Sequence, residues 1–239
     1  MCTVSFLPTA AGFRLAMNRD EKRRRVAALP PEIFALGDRR VAYPREPDGG
    51  IWLAVNDTGF CLALLNWHRI EREPRGRIES RGGIIPRLIA AKDSRAIARL
   101  LRGMSLQNVR PFRLLVIDRG QRRVTEWRWD VKNLAARQPA WRIQHWFSSG
   151  HDELRAERER AEICATWSLG GSSPLAKLHA SHFPKRGPFS ICMHRRDAAT
   201  VSYSEVVATA ARIALRYQPG PPCKGRARIT RSLRCSRGR

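Results

Sequence analysis

The sequence predicts an α+β fold: two antiparallel sheets packed as a sandwich, with helices on the outside. Three observations predict it. Short apolar runs recur in pairs around Gly-, Pro- and Asn-Asp-rich turns, which is the pattern of hairpins. Two longer segments, 84–104 and 152–167, are read as helices, the first from apolar residues at three- and four-residue steps. The order runs strands, helix, strands, helix, strands, without the strict strand–helix alternation of a parallel sheet. The 239 residues are enough for one substantial core. One domain is assigned to residues 1–223 and a basic, disordered tail to residues 224–239.

Taken in order, Thr3–Leu7 and Phe13–Met17 read as strands joined by Pro8-Thr9-Ala10-Ala11-Gly12. Glu21–Arg25 reads as a solvated charge run, Leu29–Gly37 as a loop, and Tyr43–Gly50 as a second turn-rich loop. Ile51–Val55 and Phe60–Asn66 flank Asn56-Asp57-Thr58-Gly59, the strongest turn signal in the chain. Phe60–Leu65 is almost wholly apolar, which suits a strand covered on both faces. Ile70–Gly83 is polar and arginine-rich and reads as a mobile loop. Ile84–Met104 is a helix in which Asp93 and Ser94 cap a second segment. Phe112–Ile117 and Arg123–Asp130 make a further hairpin, with Trp127 and Trp129 on one face packed against something bulky. Arg142–Ser148 is a strand. Asp152–Trp167 is a charged helix with Leu154, Ala161, Ile163, Ala165 and Trp167 as its apolar face. A short helix over Pro174–His179 and strands over Phe189–Met193, Thr200–Val207 and Ala211–Tyr217 complete the reading.

Composition narrows the class. No run of eighteen apolar residues exists, so no transmembrane helix is predicted, and no secretory leader is visible; a cytoplasmic location is expected. The six cysteines are scattered at 2, 61, 164, 192, 223 and 235 without a C-x-x-C pair, which argues against a disulfide framework or a zinc site. His179 and His182 form a close pair, read as satisfied or exposed, and no metal site is expected. The net charge is +24, from 45 basic and 21 acidic residues. Such a balance favours nonspecific binding to anions. It is spread along the chain except in the tail, where seven basic residues meet no acidic one. A specific nucleic-acid function lacks a motif, and a charge-driven surface role should vanish when residues 224–239 are removed.

Cys2 follows the start methionine and is small enough to be exposed by its removal. It then carries a thiol and an α-amine, whose ordinary pKa values are about 8.5 and roughly 7.7–8.0. One residue thus supplies a nucleophile and its own base. Met1-Cys2-Thr3 followed by Asn18-Arg19-Asp20-Glu21 is the signature of the NRDE family, also called the Transport and Golgi organisation protein 2 family, and the chain is identified as resembling it. The likeness extends through Tyr43–Gly50 and Trp52–Gly59 to Leu64-Leu65-Asn66-Trp67. The family in turn looks like N-terminal-nucleophile hydrolases of the cholylglycine hydrolase and penicillin V acylase type. Phe189–His194, Thr200-Val201-Ser202 and Pro219–Cys223 resemble the closing strands of related acyltransferases.

The resemblance implies an αββα N-terminal-nucleophile fold and a cysteine amidohydrolase or acyltransferase acting on a small-molecule amide or ester. It makes Cys2 the nucleophile, Asp20 the partner of its α-amine, Arg19 the electrostatic support of the thiolate and Asn66 the oxyanion donor. Asn18, Asn56 and Ser149 are assigned to substrate or oxyanion binding, with Ser148 or Ser149 standing where those hydrolases carry a later asparagine. In those enzymes the arginine stands farther from the aspartate. Adjacent strand residues point to opposite faces, so Arg19 and Asp20 are not both expected to face Cys2, and Asp20 is the one retained. No cofactor is required by this reading. The alternative is a non-catalytic haem or lipid/acyl-CoA binding protein on the same fold, because eukaryotic members are linked to haem mobilisation and lipid homeostasis. In that case Cys2, His68 or His194 would contact haem, noncovalently because no C-x-x-C-H sequence exists.

Overall fold

In a computed structural model, which describes residues 2–169 and 175–235, the hairpin-rich pattern resolves into thirteen strands in two antiparallel sheets. The first sheet has six: β1 (Cys2–Thr9), β2 (Gly12–Lys22), β10 (Gln144–Ser148), β11 (Ala198–Ala208), β12 (Arg212–Pro219) and β13 (Ile229–Arg234), in the order β10-β1-β2-β11-β12-β13. The second has seven consecutive strands: β3 (Leu29–Leu36), β4 (Arg39–Arg45), β5 (Leu53–Asn56), β6 (Phe60–Asn66), β7 (Phe112–Asp118), β8 (Arg123–Trp129) and β9 (Leu134–Arg137). Helices α1 (Ile84–Leu88) and α2 (Ser94–Arg102) cover the second sheet; α3 (Glu153–Leu169) and α4 (Leu175–Ala180) cover the first. The predicted αββα sandwich is the observed architecture.

Alternation along the strands builds its layers. On β6, Cys61, Ala63 and Leu65 enter the core between the sheets, while Phe60, Leu62 and Leu64 enter the core beneath α1 and α2. That strand is covered on both faces, as its apolar run implied. Trp127 and Trp129 pack into the same helix-side layer, and Trp129 Nε1 donates to Val109 O at 2.8 Å. The turn before β6 needs Gly59, whose φ of +92° L side chains rarely adopt.

Several expectations are corrected. The helix predicted over 84–104 is interrupted between Leu88 and Ser94, while the expected cap is observed: the Asp93 side chain accepts from Ala96 N at 2.7 Å and starts α2. Leu29–Leu36 is an edge strand, not a loop. Phe189–Met193 is irregular rather than a strand. Strand β9 has no counterpart in the sequence reading. The face of α3 is Glu153, Ala156, Arg160, Ile163 and Cys164, whereas Leu154 is exposed. Pro174 of the predicted short helix lies outside the described residues. The basic tail does not dangle over 229–234: β13 pairs with β12 from Ile229 to Arg234, and Leu233 is buried in the inter-sheet core. Arg228 joins Arg14 and Arg216 around the buried Glu205 carboxylate. An edge strand needs few apolar anchors and tolerates charge along its open side, so the arginines masked it. Residues 236–239 lie outside the described residues. Among the described residues no helix is long and apolar enough to cross a membrane.

Candidate active site

The start of β1 places Cys2 between two neighbours. Its Cα partners are Ser148 on β10 and Arg19 on β2. Cross-strand partners share a face of the sheet, so Ser148, Cys2 and Arg19 form a row on the side facing the second sheet. Arg19 lies over the Trp52 ring at 4.3 Å and pairs with Glu46, with Glu21 at 3.6 Å. Asp20, the next residue, belongs to the opposite face. There Thr200 Oγ1 donates to Asp20 Oδ1 at 2.6 Å, and Arg160 Nη2 stands 3.5 Å from Asp20 Oδ2. The expectation that Asp20 alone would serve Cys2 is therefore corrected. Arg19 shares the thiol's face, while Asp20 meets Cys2 through its backbone N–H, which hydrogen-bonds the sulfur.

Cys2, Arg19, Asp20 and Asn66 line one cleft of about 410 Å³ at an end of the sandwich. Its other walls come from the turn after β4 and from the loop before α1. Glu46, Trp52, Glu79 and Arg81 are among them. Residues 78–82 of the loop over 70–83, expected to be mobile, thus form a wall. Asn66 is the last residue of β6, and its side-chain amide makes no hydrogen bond among the described residues. Arg81 donates to Pro111 O at 3.0 Å and makes no ion pair among the described residues. Burial lowers its pKa to about 10, with the nearby Arg110 adding to the fall.

Burial also governs the titrating groups. It pushes the Cys2 thiol up; the N-terminal charge pulls it down, the Asp20 carboxylate raises it further, and Arg19 favours the thiolate. Desolvation likewise raises the Asp20 carboxyl, opposed by Arg160, the N-terminal charge and the Thr200 hydrogen bond. Burial therefore favours the protonated form of the Cys2 thiol.

Three assigned residues lie elsewhere. Asn18 is buried on the far face, its Nδ2 donating to His179 O and Ile191 O, each at 2.9 Å. Asn56 donates to Ile89 O at 2.8 Å and accepts from Thr58 N and Phe60 N, closing the turn before β6. Ser149 donates through Oγ to His151 O at 2.7 Å beyond the strand end. Asn18 and Asn56 direct their side-chain amide N–H groups, and Ser149 its hydroxyl, to backbone carbonyls, and none of the three lines the cleft. Ser148, not Ser149, stands beside Cys2; its hydroxyl is buried and has no hydrogen-bond partner among the described residues. His68 and His194, considered for haem, do not line the cleft either.

Arg160 is the residue that sequence reasoning missed. It is fully buried, and its Nη1 donates to Thr3 Oγ1 at 3.0 Å while Nη2 faces Asp20. It stands at the centre of the buried 153-156-160-163-164 stripe, which has helical spacing but mixed polarity, so apolar periodicity does not mark it.

The fold defines the class. Over 92% of this chain and 83% of the other, the structure is similar to penicillin V acylase from Agrobacterium tumefaciens, with a TM-score of 0.52 and 10% identity. A conjugated bile acid hydrolase from Clostridium perfringens, in one variant, covers 92% of this chain and 89% of its own at TM-score 0.58 and 10% identity. A second variant of that hydrolase covers 98% and 97% at TM-score 0.51 and 11% identity. The fold is thus that of N-terminal-nucleophile hydrolases. In sequence, residues 1–151 match the family described as Transport and Golgi organisation 2, and the chain belongs to that family. No curated protein matches it in sequence.

Proposed function

We propose that this chain is an N-terminal cysteine amidohydrolase or acyltransferase acting on a small-molecule amide or ester. The observation that carries the reading is the convergence of Cys2, Arg19, Asp20 and Asn66 on one cleft. The similar structures are named for penicillin V and conjugated bile acids, which supports a small-molecule substrate. Removal of Met1 frees the α-amine of Cys2. That amine takes the thiol proton as sulfur attacks the carbonyl carbon. The Asn66 amide, without a hydrogen-bond partner among the described residues, donates to the oxyanion. Collapse expels the amine or alcohol, which receives the proton from the α-ammonium. A water, or an acceptor amine in a transfer reaction, then cleaves the thioester. Asp20 holds the ammonium, and Arg19 stabilises negative charge on sulfur. Among the described residues of the cleft wall, Arg81 is the arginine without an ion pair, and it would meet an anionic part of the substrate.

Intact-mass measurement with a β-lactone or thiol-reactive amide probe tests this. The purified chain should lack Met1 and gain one adduct on Cys2, and Cys2→Ser should abolish it. Retained Met1, or labelling that survives Cys2→Ser, would overturn the proposal. Haem or acyl-CoA binding ranks second, because charged groups dominate the cleft walls and no histidine stands among them. A Soret shift on haem titration that is lost in Cys2→Ser would reverse that ranking.

A further inference from the structure

Residues 181–197 link α4 to β11 without regular secondary structure. Connections longer than about 12–15 residues with no elements of their own are uncommon in compact domains. This one is not a surface excursion, because Ile191, Cys192 and Met193 are fully buried. Backbone bonds fold it on itself: Cys192 N donates to Ser181 O at 3.0 Å and His194 N to Gly187 O at 3.1 Å. The fold brings His182, Cys192 and His194 from this segment against Cys223, in the turn after β12. Their four potential ligand atoms all lie within 4.8 Å of one another.

The spacing is close to that of a tetrahedral metal centre, which a small closing of the side chains would complete. Cys192 Sγ and Cys223 Sγ each stand 3.5 Å from His194 Nε2. The His182 ring is 5.0 Å from that of His194, centroid to centroid, and its buried Nε2 has no hydrogen-bond partner among the described residues. Zinc bonds of about 2.3 Å to sulfur and about 2.0–2.1 Å to nitrogen, set tetrahedrally, place neighbouring ligand atoms roughly 3.3–3.8 Å apart. We propose that His182, Cys192, His194 and Cys223 form a structural Cys2His2 zinc site that staples the 181–197 segment to the end of β12.

The donor set fits this metal. Two thiolates and two neutral imidazoles make a zinc centre of zero net charge, which suits a neighbourhood that already holds Arg186 and Lys224. Four protein ligands leave no open position, so the role is structural rather than catalytic. Binding releases the two thiol protons. His194 ligates through Nε2 with its proton on Nδ1; Arg186, now 3.3 Å from that Nδ1 and exposed, turns to solvent. The site is separate from the Cys2 cleft but linked to its support. Met193, between two of the ligands, donates its N–H to Thr200 Oγ1 at 2.8 Å, and Thr200 holds Asp20.

Native mass spectrometry and metal analysis of the full chain, purified without chelator under reductant, should find one zinc per chain. Cobalt substitution should give the visible bands of tetrahedral thiolate ligation. Cys223→Ser and His182→Ala change the more open ligands, so the fold should survive. Each should weaken zinc by more than about 100-fold, beyond the 10–100-fold typical of lost supporting partners. Cys2→Ser should leave zinc affinity unchanged. The proposal is overturned if the reduced chain binds neither zinc nor cobalt, or if both ligand variants hold zinc within 10-fold of the parent. It is also overturned if Cys2→Ser loses the metal, or if a Cys192–Cys223 disulfide forms in its place under reductant.

Discussion

Arg19 and Asp20 are chain neighbours that serve opposite faces of one strand, and the candidate chemistry depends on that division. Arg19 reaches the thiol's side, whereas Asp20 works from behind, held by Thr200 and Arg160. Breaking a buried pair by removing one partner costs about 3–5 kcal/mol, because the other charge stays buried and uncompensated. Arg160→Met should destabilise the fold by that amount in urea unfolding, and the Arg160→Met/Asp20→Asn double variant should recover much of the loss. Asn66→Ala should keep the fold and remove the proposed oxyanion donor. A loss of about 10²–10³ in kcat, with KM little changed, is the expected result of steady-state assays on any substrate found. A change confined to KM would assign Asn66 to substrate binding instead. Cys2, Arg19, Asp20 and Asn66 were legible through the motif they share with a known family. Asn18 and Asn56 were not separable from them, since a buried asparagine serves backbone groups as readily as a substrate. Arg160 sits among other arginines on a charged helix, and only packing shows which of them is enclosed.

At the scale of elements, the long apolar strands and the Gly- and Asn-bearing turns were readable because period and turn chemistry are local properties. The edges were not. Strand β3, with Pro30 and Pro31, and strand β13, rich in arginine, carry residue types that keep open edges from pairing further, and such residues resemble a loop or a tail. Leu233 tests the second case. It is the buried anchor of β13, at 1% exposure, so Leu233→Ala should cost roughly 2–5 kcal/mol in chemical denaturation. No measurable loss would restore the view of this segment as a free arm. The α3 face was misread because Leu154 is apolar yet exposed, while Glu153 and Arg160 are charged yet buried. Hydrophobicity alone cannot find a face whose central residue is there to hold a carboxylate.

At the scale of the whole molecule, +24 charges on one domain impose self-repulsion. Acidic residues answer it locally: Glu46 takes Arg19 and Arg25, and Glu205 takes Arg14, Arg216 and Arg228. These clusters leave most of the excess unpaired, and salt screens it within about 8–10 Å. The melting temperature should rise by about 2–4 °C between low and physiological ionic strength, equivalent to roughly 1 kcal/mol in a domain of this size. A fall would mean that the buried clusters, not the surface excess, dominate. The family, the antiparallel character of the strands, the helix-covered sandwich and Cys2 with its Arg19-Asp20 neighbours were all readable from the order of residues. Those features rest on local pattern, on residue order and on one compact motif. Packing in three dimensions was needed to show that Arg19 shares Cys2's face, that Arg160 backs Asp20, that β13 closes the first sheet, and that His182, Cys192, His194 and Cys223 meet. Each of these joins residues far apart in the chain, and no local period or spacing records which distant segments the packing will bring together.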